Sequence, residues 1–174
     1  QRVMPLPVRD GRVERIRNLP FFEAGGRTMK LDVYRSRERR EPCPVLLQIH
    51  GGAWMVGRKE EQALPLMTRL AAHGWICIAA SYRLSPRATF PEHLIDVKAA
   101  IRWIRAHAAE YGLDPDRIAV RGESAGGHLV AMLGTSGDVP ELEGALGDHL
   151  DVSSRVNCVV AEYGPSELLA LDTT

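Results

Sequence analysis

No run of 18 or more apolar residues occurs in this sequence, so no segment is long enough to cross a membrane as a helix. The first ten residues, QRVMPLPVRD, lack the apolar core of a secretory leader, although a start on Gln rather than Met leaves a removed leader open. Net charge is missing as well. The 22 Lys+Arg balance 22 Asp+Glu, which argues against nucleic acid or an anionic membrane as a partner. The basic run Arg35–Arg40 reads as a solvated loop. Cysteine is scarce, with Cys43, Cys77 and Cys158 far apart in a spacing that suits neither a zinc site nor a disulfide framework. Cys77, in WICIAA, and Cys158, in VNCVVAEY, read as small buried core residues, and the pattern favours a reducing, cytoplasmic compartment. Repeats and low-complexity linkers are absent, so the 174 residues read as one unit able to bury a sizeable core.

What is present is an alternation of element types. VERIRNL (Val13–Leu19) and MKLDVYR (Met29–Arg35) alternate around AGG and read as a pair of edge-like antiparallel strands. PVLLQIH (Pro44–His50) and WICIAASY (Trp75–Tyr82) are continuous apolar runs of the buried-strand kind. Between them, Leu64, Met67, Leu70 and Ala71 recur at helical spacing within Glu60–His73, and Gly74 stands where a helix would stop. Leu94, Val97, Ile101, Ile104, Ala108 and Tyr111 mark one long helix from Pro91 to Gly112. LDPD then turns the chain into the strand RIAVRG. AGGHLVAMLG reads as a buried helix, Ser136–Ser154 as a polar loop, and VNCVVAEYG as a last strand. Buried strands alternating with helices predict an α/β fold: a mostly parallel sheet covered on both faces.

The stretch RGESAGGHLV places Ser124 between Gly122 and Gly126, after a strand and before a helix. A nucleophile elbow needs this setting, because the serine occupies a strained turn and its neighbours must be small. The following helix directs N–H groups and a positive dipole end toward charge developing near the serine. The bare Gly-x-Ser-x-Gly pattern arises by chance in roughly 0.07 of chains of this composition, so it needs support. QIHGGAW supplies it, directly after a buried strand. Acyl transfer needs N–H donors aimed at a tetrahedral oxyanion, and Gly51, Gly52 and Ala53, with the Ala125 N–H, are the candidate donors. His50 reads as an orienting hydrogen-bonding group, His128 as structural, and Trp54 as a wall of the acyl site or a cap on the core.

HGGAW, SYRLSP and GESAGG together resemble the hormone-sensitive-lipase-like esterases of the α/β-hydrolase fold. The stretch from YRLSPRATFPEHL to GESAGGHLVAMLG is similar to their bacterial branch of feruloyl- and acetylxylan-esterase-like proteins. The resemblance runs over about Met29–Pro165. It implies Ser124 as nucleophile, His50-Gly51-Gly52-Ala53 as the oxyanion loop, and Gly122, Gly126 and Gly127 as the glycines that shape the elbow. Ala53 stands where many relatives carry a third glycine, and its backbone donor survives. Arg83 and Asp96 match family positions and read as packing or ion-pair residues.

A serine hydrolase also needs a histidine base and an orienting carboxylate, which follow the nucleophile in this fold. After Ser124 the histidines are only His128 and His149, and neither fits. The acidic candidates include Asp138, Asp148, Asp151, Glu162 and Asp172, none placed before a suitable histidine. The expectation is an N-terminal portion of a single α/β-hydrolase domain, ending soon after the strand near Gly164, with the acid and base elsewhere. The expected function is hydrolysis of short-chain acyl or aryl carboxylic esters through an acyl-enzyme, without metal or organic cofactor. An amidase or formamidase would use the same parts, and a non-catalytic scaffold is the alternative of a different class. The exposed sheet edge would be covered by a completing C-terminal segment or a second copy.

Overall fold

The computed structural model describes residues 10–172 other than 138. Two glycines at positive φ (Gly25, 56°; Gly26, 69°) close a tight hairpin between β1 (Val13–Ala24) and β2 (Arg27–Ser36), as AGG predicts. Of these two strands only β1 lies at an edge of the described sheet. The other side of β2 pairs antiparallel with β4 (Ile76–Ala80), so Leu31 and Val33 are fully buried rather than edge-like. Beyond β4 the sheet is parallel through β3 (Cys43–Ile49), β5 (Leu113–Glu123) and β6 (Cys158–Glu162), giving the order β1-β2-β4-β3-β5-β6.

Apolar residues on both faces of the central strands explain this parallel core. On one face Val45, Leu47, Ile49, Ile76, Ile78, Ile118 and Val120 meet α2 (Glu92–Ala106) and α4 (Ala125–Thr135). On the other, Leu46, Cys77 and Ala79 meet Met67 and Ala71 of α1 (Leu64–Ala72). The 2.0 period of a strand sends neighbours such as Leu46 and Leu47 to opposite layers.

Several boundaries differ from the sequence reading. Helix α1 starts at Leu64 rather than Glu60. Pro65 lacks an N–H and therefore suits the first turn, and Ala63 before it is left-handed (φ 58°). The long helix breaks at His107, and the short α3 (Ala108–Tyr111) ends on left-handed Gly112. LDPD is a bulge within β5: Cys43 pairs Leu113 but Val45 pairs Ile118, and the Asp116 N–H bonds Asp114 Oδ1 at 3.0 Å. The basic run is no free loop at its start. Arg35 lies in β2 and pairs with Glu14 of β1 at 2.6 Å. Cys77 is buried, and burial pushes its thiol up to about 12. Cys158 is exposed, because β6 borders only one described strand and its residues are left largely uncovered. The opening QRVMPLPVR lies outside the described residues, and no helix among them is long and apolar enough to cross a membrane.

The polar loop before β6 is anchored from below. Lys98 of α2, with none of its side chain exposed, donates to Ser136 O and Glu143 Oε1, both at 2.6 Å. Arg102, one turn on, binds Glu143 Oε2 at 3.1 Å and the Leu146 carbonyl at 3.2 Å. One carboxylate thus holds two buried cations and the Ser154 hydroxyl, 2.9 Å away.

Candidate active site

Ser124 sits between the end of β5 and the first residue of α4, at φ 54° and ψ −121°. Such a backbone costs about 1–3 kcal/mol in a non-glycine residue and persists only when its surroundings enforce it. Here they do. The Ser124 N–H donates to Glu162 O at 3.0 Å, and Ser124 O accepts the His128 N–H at 3.0 Å, opening the helix. Glycine is required beside it, since a Cβ on Gly126 would lie 2.7 Å from the His50 carbonyl oxygen. Helix α4 can thereby press against the end of β3. Gly122 and Gly127 are packed on backbone in the same way.

The second motif meets the first here. Gly51 lies against the elbow so closely that a Cβ on it would stand 3.2 Å from Ser124 Cβ and 2.6 Å from Glu123 O. After it the chain turns through Gly52, Ala53 and Trp54 at φ 112°, 51° and 58°. Gly52 O accepts the Met55 and Val56 N–H groups at 3.0 and 2.9 Å, and Trp54 O accepts Ser85 N–H at 2.8 Å. These bonds hold Ala53 and Trp54 in a region that side chains rarely adopt. Gly52, Ala53 and Ala125 N–H have no acceptor among the described residues and remain available to a ligand. Gly51 does not belong with them. Its N–H donates to Gln62 Oε1 at 2.7 Å, so this expected donor instead ties the loop to the approach of α1.

His50 is buried and its ring contacts the loop. Its Nδ1 lies 2.7 Å from Gly51 O, a contact that requires the proton on Nδ1. Tyr82 stacks on the ring at 4.5 Å and donates its hydroxyl to His50 O at 3.0 Å. Tyr82 and Gln62 are two positioning groups that the sequence reading passed over. Tyr82 stood in SYRLSP, whereas nothing local marks Gln62. Arg83 grips Asp96 through two nitrogens (Nη2–Oδ1 2.7 Å, Nε–Oδ2 2.9 Å), an ion pair joining the end of β4 to α2.

Among the described residues, no imidazole or carboxylate lies within hydrogen-bonding distance of Ser124 Oγ. His128 turns its ring edge-on to Trp54 at 5.3 Å, and His149 packs against His107 near the end of α2. Glu162 holds Arg121, and Asp148 shares the cavity beside His149. Asp138 and the side chain of Asp172 lie outside the described residues. Ser85 and His93 form another Ser–His approach at 3.4 Å, but Ser85 Oγ is spent on Ala88 O at 2.9 Å. Among the described residues no group of three His, Cys, Asp or Glu is placed to hold a metal.

Beside Ala53 opens a cavity of about 490 Å³, walled mainly by Trp54, Phe90, Leu129 and Met132, with His93 and His128 at its polar margin. Its size and apolar lining suit a small organic group. Trp54 thus walls this cavity and also packs against the core.

Burial lowers the pKa of His50, His93 and His128. A histidine whose folded pKa is depressed stabilises the fold above its unfolded value of about 6.5 and loses that contribution as pH falls through it, because the unfolded chain takes up the proton first. The thermal midpoint should therefore drop between about pH 7.5 and about pH 5.5. A flat profile in scanning calorimetry would mean these rings titrate alike in both states.

A family model described as BD-FAE matches residues 31–174. Over 141 residues the chain is 46% identical to a probable carboxylic ester hydrolase, LipM, of Mycobacterium tuberculosis, covering 80% of this chain and 32% of that protein. It is 47% identical over 126 residues to esterase LipQ of the same organism, with 70% and 30% covered. Among solved structures, a truncated form of a carbohydrate esterase from gut microbiota superposes with a TM-score of 0.82 at 31% identity, covering 91% of this chain and 59% of that one. The chain spans about a third of the length of these curated relatives.

Proposed function

Because the chain belongs to the BD-FAE family of hormone-sensitive-lipase-like esterases, with their α/β-hydrolase fold, we propose that it carries the acylation half of a serine carboxylic-ester hydrolase. The observation that supports this reading is the contact of the HGGA loop with the elbow at Gly51, together with the N–H groups of Gly52, Ala53 and Ala125 that have no acceptor among the described residues. Ser124 Oγ attacks the ester carbonyl. Gly52, Ala53 and Ala125 N–H stabilise the oxyanion, the alcohol departs, and water later releases the acyl group. The histidine and carboxylate that this chemistry needs come, in this reading, from residues other than these 174, which form the N-terminal portion of one α/β-hydrolase domain. Further strands of that domain then cover the β6 edge.

An organophosphonate probe tests the mechanism directly. Mass spectrometry of the treated intact protein should find one adduct, on the peptide containing Ser124. An unmodified Ser124, or an adduct elsewhere, would overturn the assignment.

The apolar cavity beside Ala53 favours short acyl or aryl groups as its occupant. Met132→Trp should fill much of it and cut kcat/KM for a hexanoyl ester by about tenfold or more relative to the acetyl ester, at about 0.8 kcal/mol per excluded methylene. Equal losses on both esters would place the acyl group elsewhere.

A further inference from the structure

A second cavity, of about 380 Å³, opens on the same rim of the sheet, where β3 and β4 end and β2 begins. Six cations line it: Arg27, Lys30, Arg58, Lys59, Arg83 and Arg87. Two are neutralised within the fold. Lys59 Nζ lies 3.0 Å from Asp32 and 2.5 Å from Glu60, which is the one carboxylate on the cavity wall, and Arg83 is held by Asp96 and Glu92. The side-chain nitrogens of the other four have no carboxylate within 4.0 Å among the described residues, although Glu61 Oε2 accepts the Arg58 backbone N–H at 3.1 Å, and all four residues are exposed. In a chain of zero net charge, this gives one concavity a net positive wall. Such a wall concentrates field lines, and guanidinium forks suit planar or tetrahedral oxyanions.

We propose that this cavity is an anion-binding site that takes a phosphate or carboxylate group. Its lining gathers around the ends of β2 and β4, whereas Ser124 follows β5, which stands two strand spacings, about 10 Å, from β4 in the sheet. A free anion and an anionic arm on the ester substrate are the two sources with this chemistry, and separate measurements distinguish them.

The first is calorimetric titration of the intact protein with inorganic phosphate at low salt, for the wild type and for Lys30→Gln/Arg87→Gln. Both residues are exposed and lie outside the elbow and its donors. Saturable binding, weakened at least about tenfold in the double variant, is expected, since each lost charge-assisted hydrogen bond is worth a factor of that order. Absence of saturation in the wild type, or equal affinity in the variant, overturns the proposal.

The second measurement rests on the ester-hydrolase reading and compares a neutral 4-nitrophenyl ester with a carboxylate-terminated one. Loss of a preference for the charged ester in the variant assigns the anion to the substrate. An unchanged ratio alongside weakened phosphate binding assigns the site to a separate small anion. Failure to hydrolyse either ester would defeat the ester-hydrolase reading, with the calorimetry still deciding the site.

Discussion

Ser124→Ala is expected to lower kcat/KM for a short-chain aryl ester by about 10⁵–10⁶-fold in the intact protein, a loss of about 7–8 kcal/mol of transition-state stabilisation. The size of the effect follows from what the hydroxyl does. Without it there is no acyl-enzyme, and only the oxyanion donors and substrate binding remain, together worth roughly 10³–10⁴ over water. The substitution itself is mild, because the strained backbone is held by the Glu162 and His128 bonds and no described residue depends on the Ser124 hydroxyl. Unfolding midpoints should therefore match the wild type. A variant that keeps activity within tenfold would remove Ser124 from the mechanism, since Ser85, the serine that lines the cavity beside Ala53, spends its hydroxyl on Ala88 O.

Glu143→Ala should destabilise the fold by about 3 kcal/mol, visible as a lower denaturant midpoint with an unchanged slope. The reason lies in the two cations it serves. Lys98 is wholly buried and Arg102 nearly so, and the Ser136 and Leu146 carbonyls leave both with a positive charge and no counter-ion. Removing one partner of a buried pair costs more than the pair is worth, because the other charge stays desolvated. Glu143 keeps 29% of its side chain exposed, so entering water sets the loss at the lower end of the usual range. Lys98→Met/Glu143→Leu should recover part of the stability, as it removes the buried Lys98 charge and leaves only Arg102 without its counter-ion. A double variant as unstable as Glu143→Ala would contradict this account.

The elbow and the HGGA loop were legible in the sequence because each is a short local pattern whose chemistry follows from residue type. The strands were legible for a similar reason: runs such as PVLLQIH and WICIAASY carry their burial in themselves. What escaped depends on contacts between distant segments. Gly51 looked like an oxyanion donor until Gln62, eleven residues on, took its N–H. Lys98 and Arg102 lie off the apolar stripe of α2 and nothing local marks them as buried, yet the loop from Ser136 folds over them. Cys158 occupies an apolar run, which reports hydrophobicity but not whether a second layer covers it. The basic cavity draws on β2, the HGGA loop and the segment after β4, so its charges are scattered through the sequence and form no run.

The missing Cβ of Gly126 has a wider consequence. Through it, the helix that presents the hydroxyl and the strand end that launches the donor loop touch backbone to backbone, with no side chain between them to adjust. Under the proposed mechanism, the distance from nucleophile to oxyanion is thus set by the van der Waals radii of main-chain atoms. Trp54, Phe90 and Met132, which shape the neighbouring cavity, lie outside that contact. Under the proposed mechanism, selectivity and reactivity are therefore separable traits: the cavity can be remodelled for a different acyl group without altering the spacing at the reacting carbon.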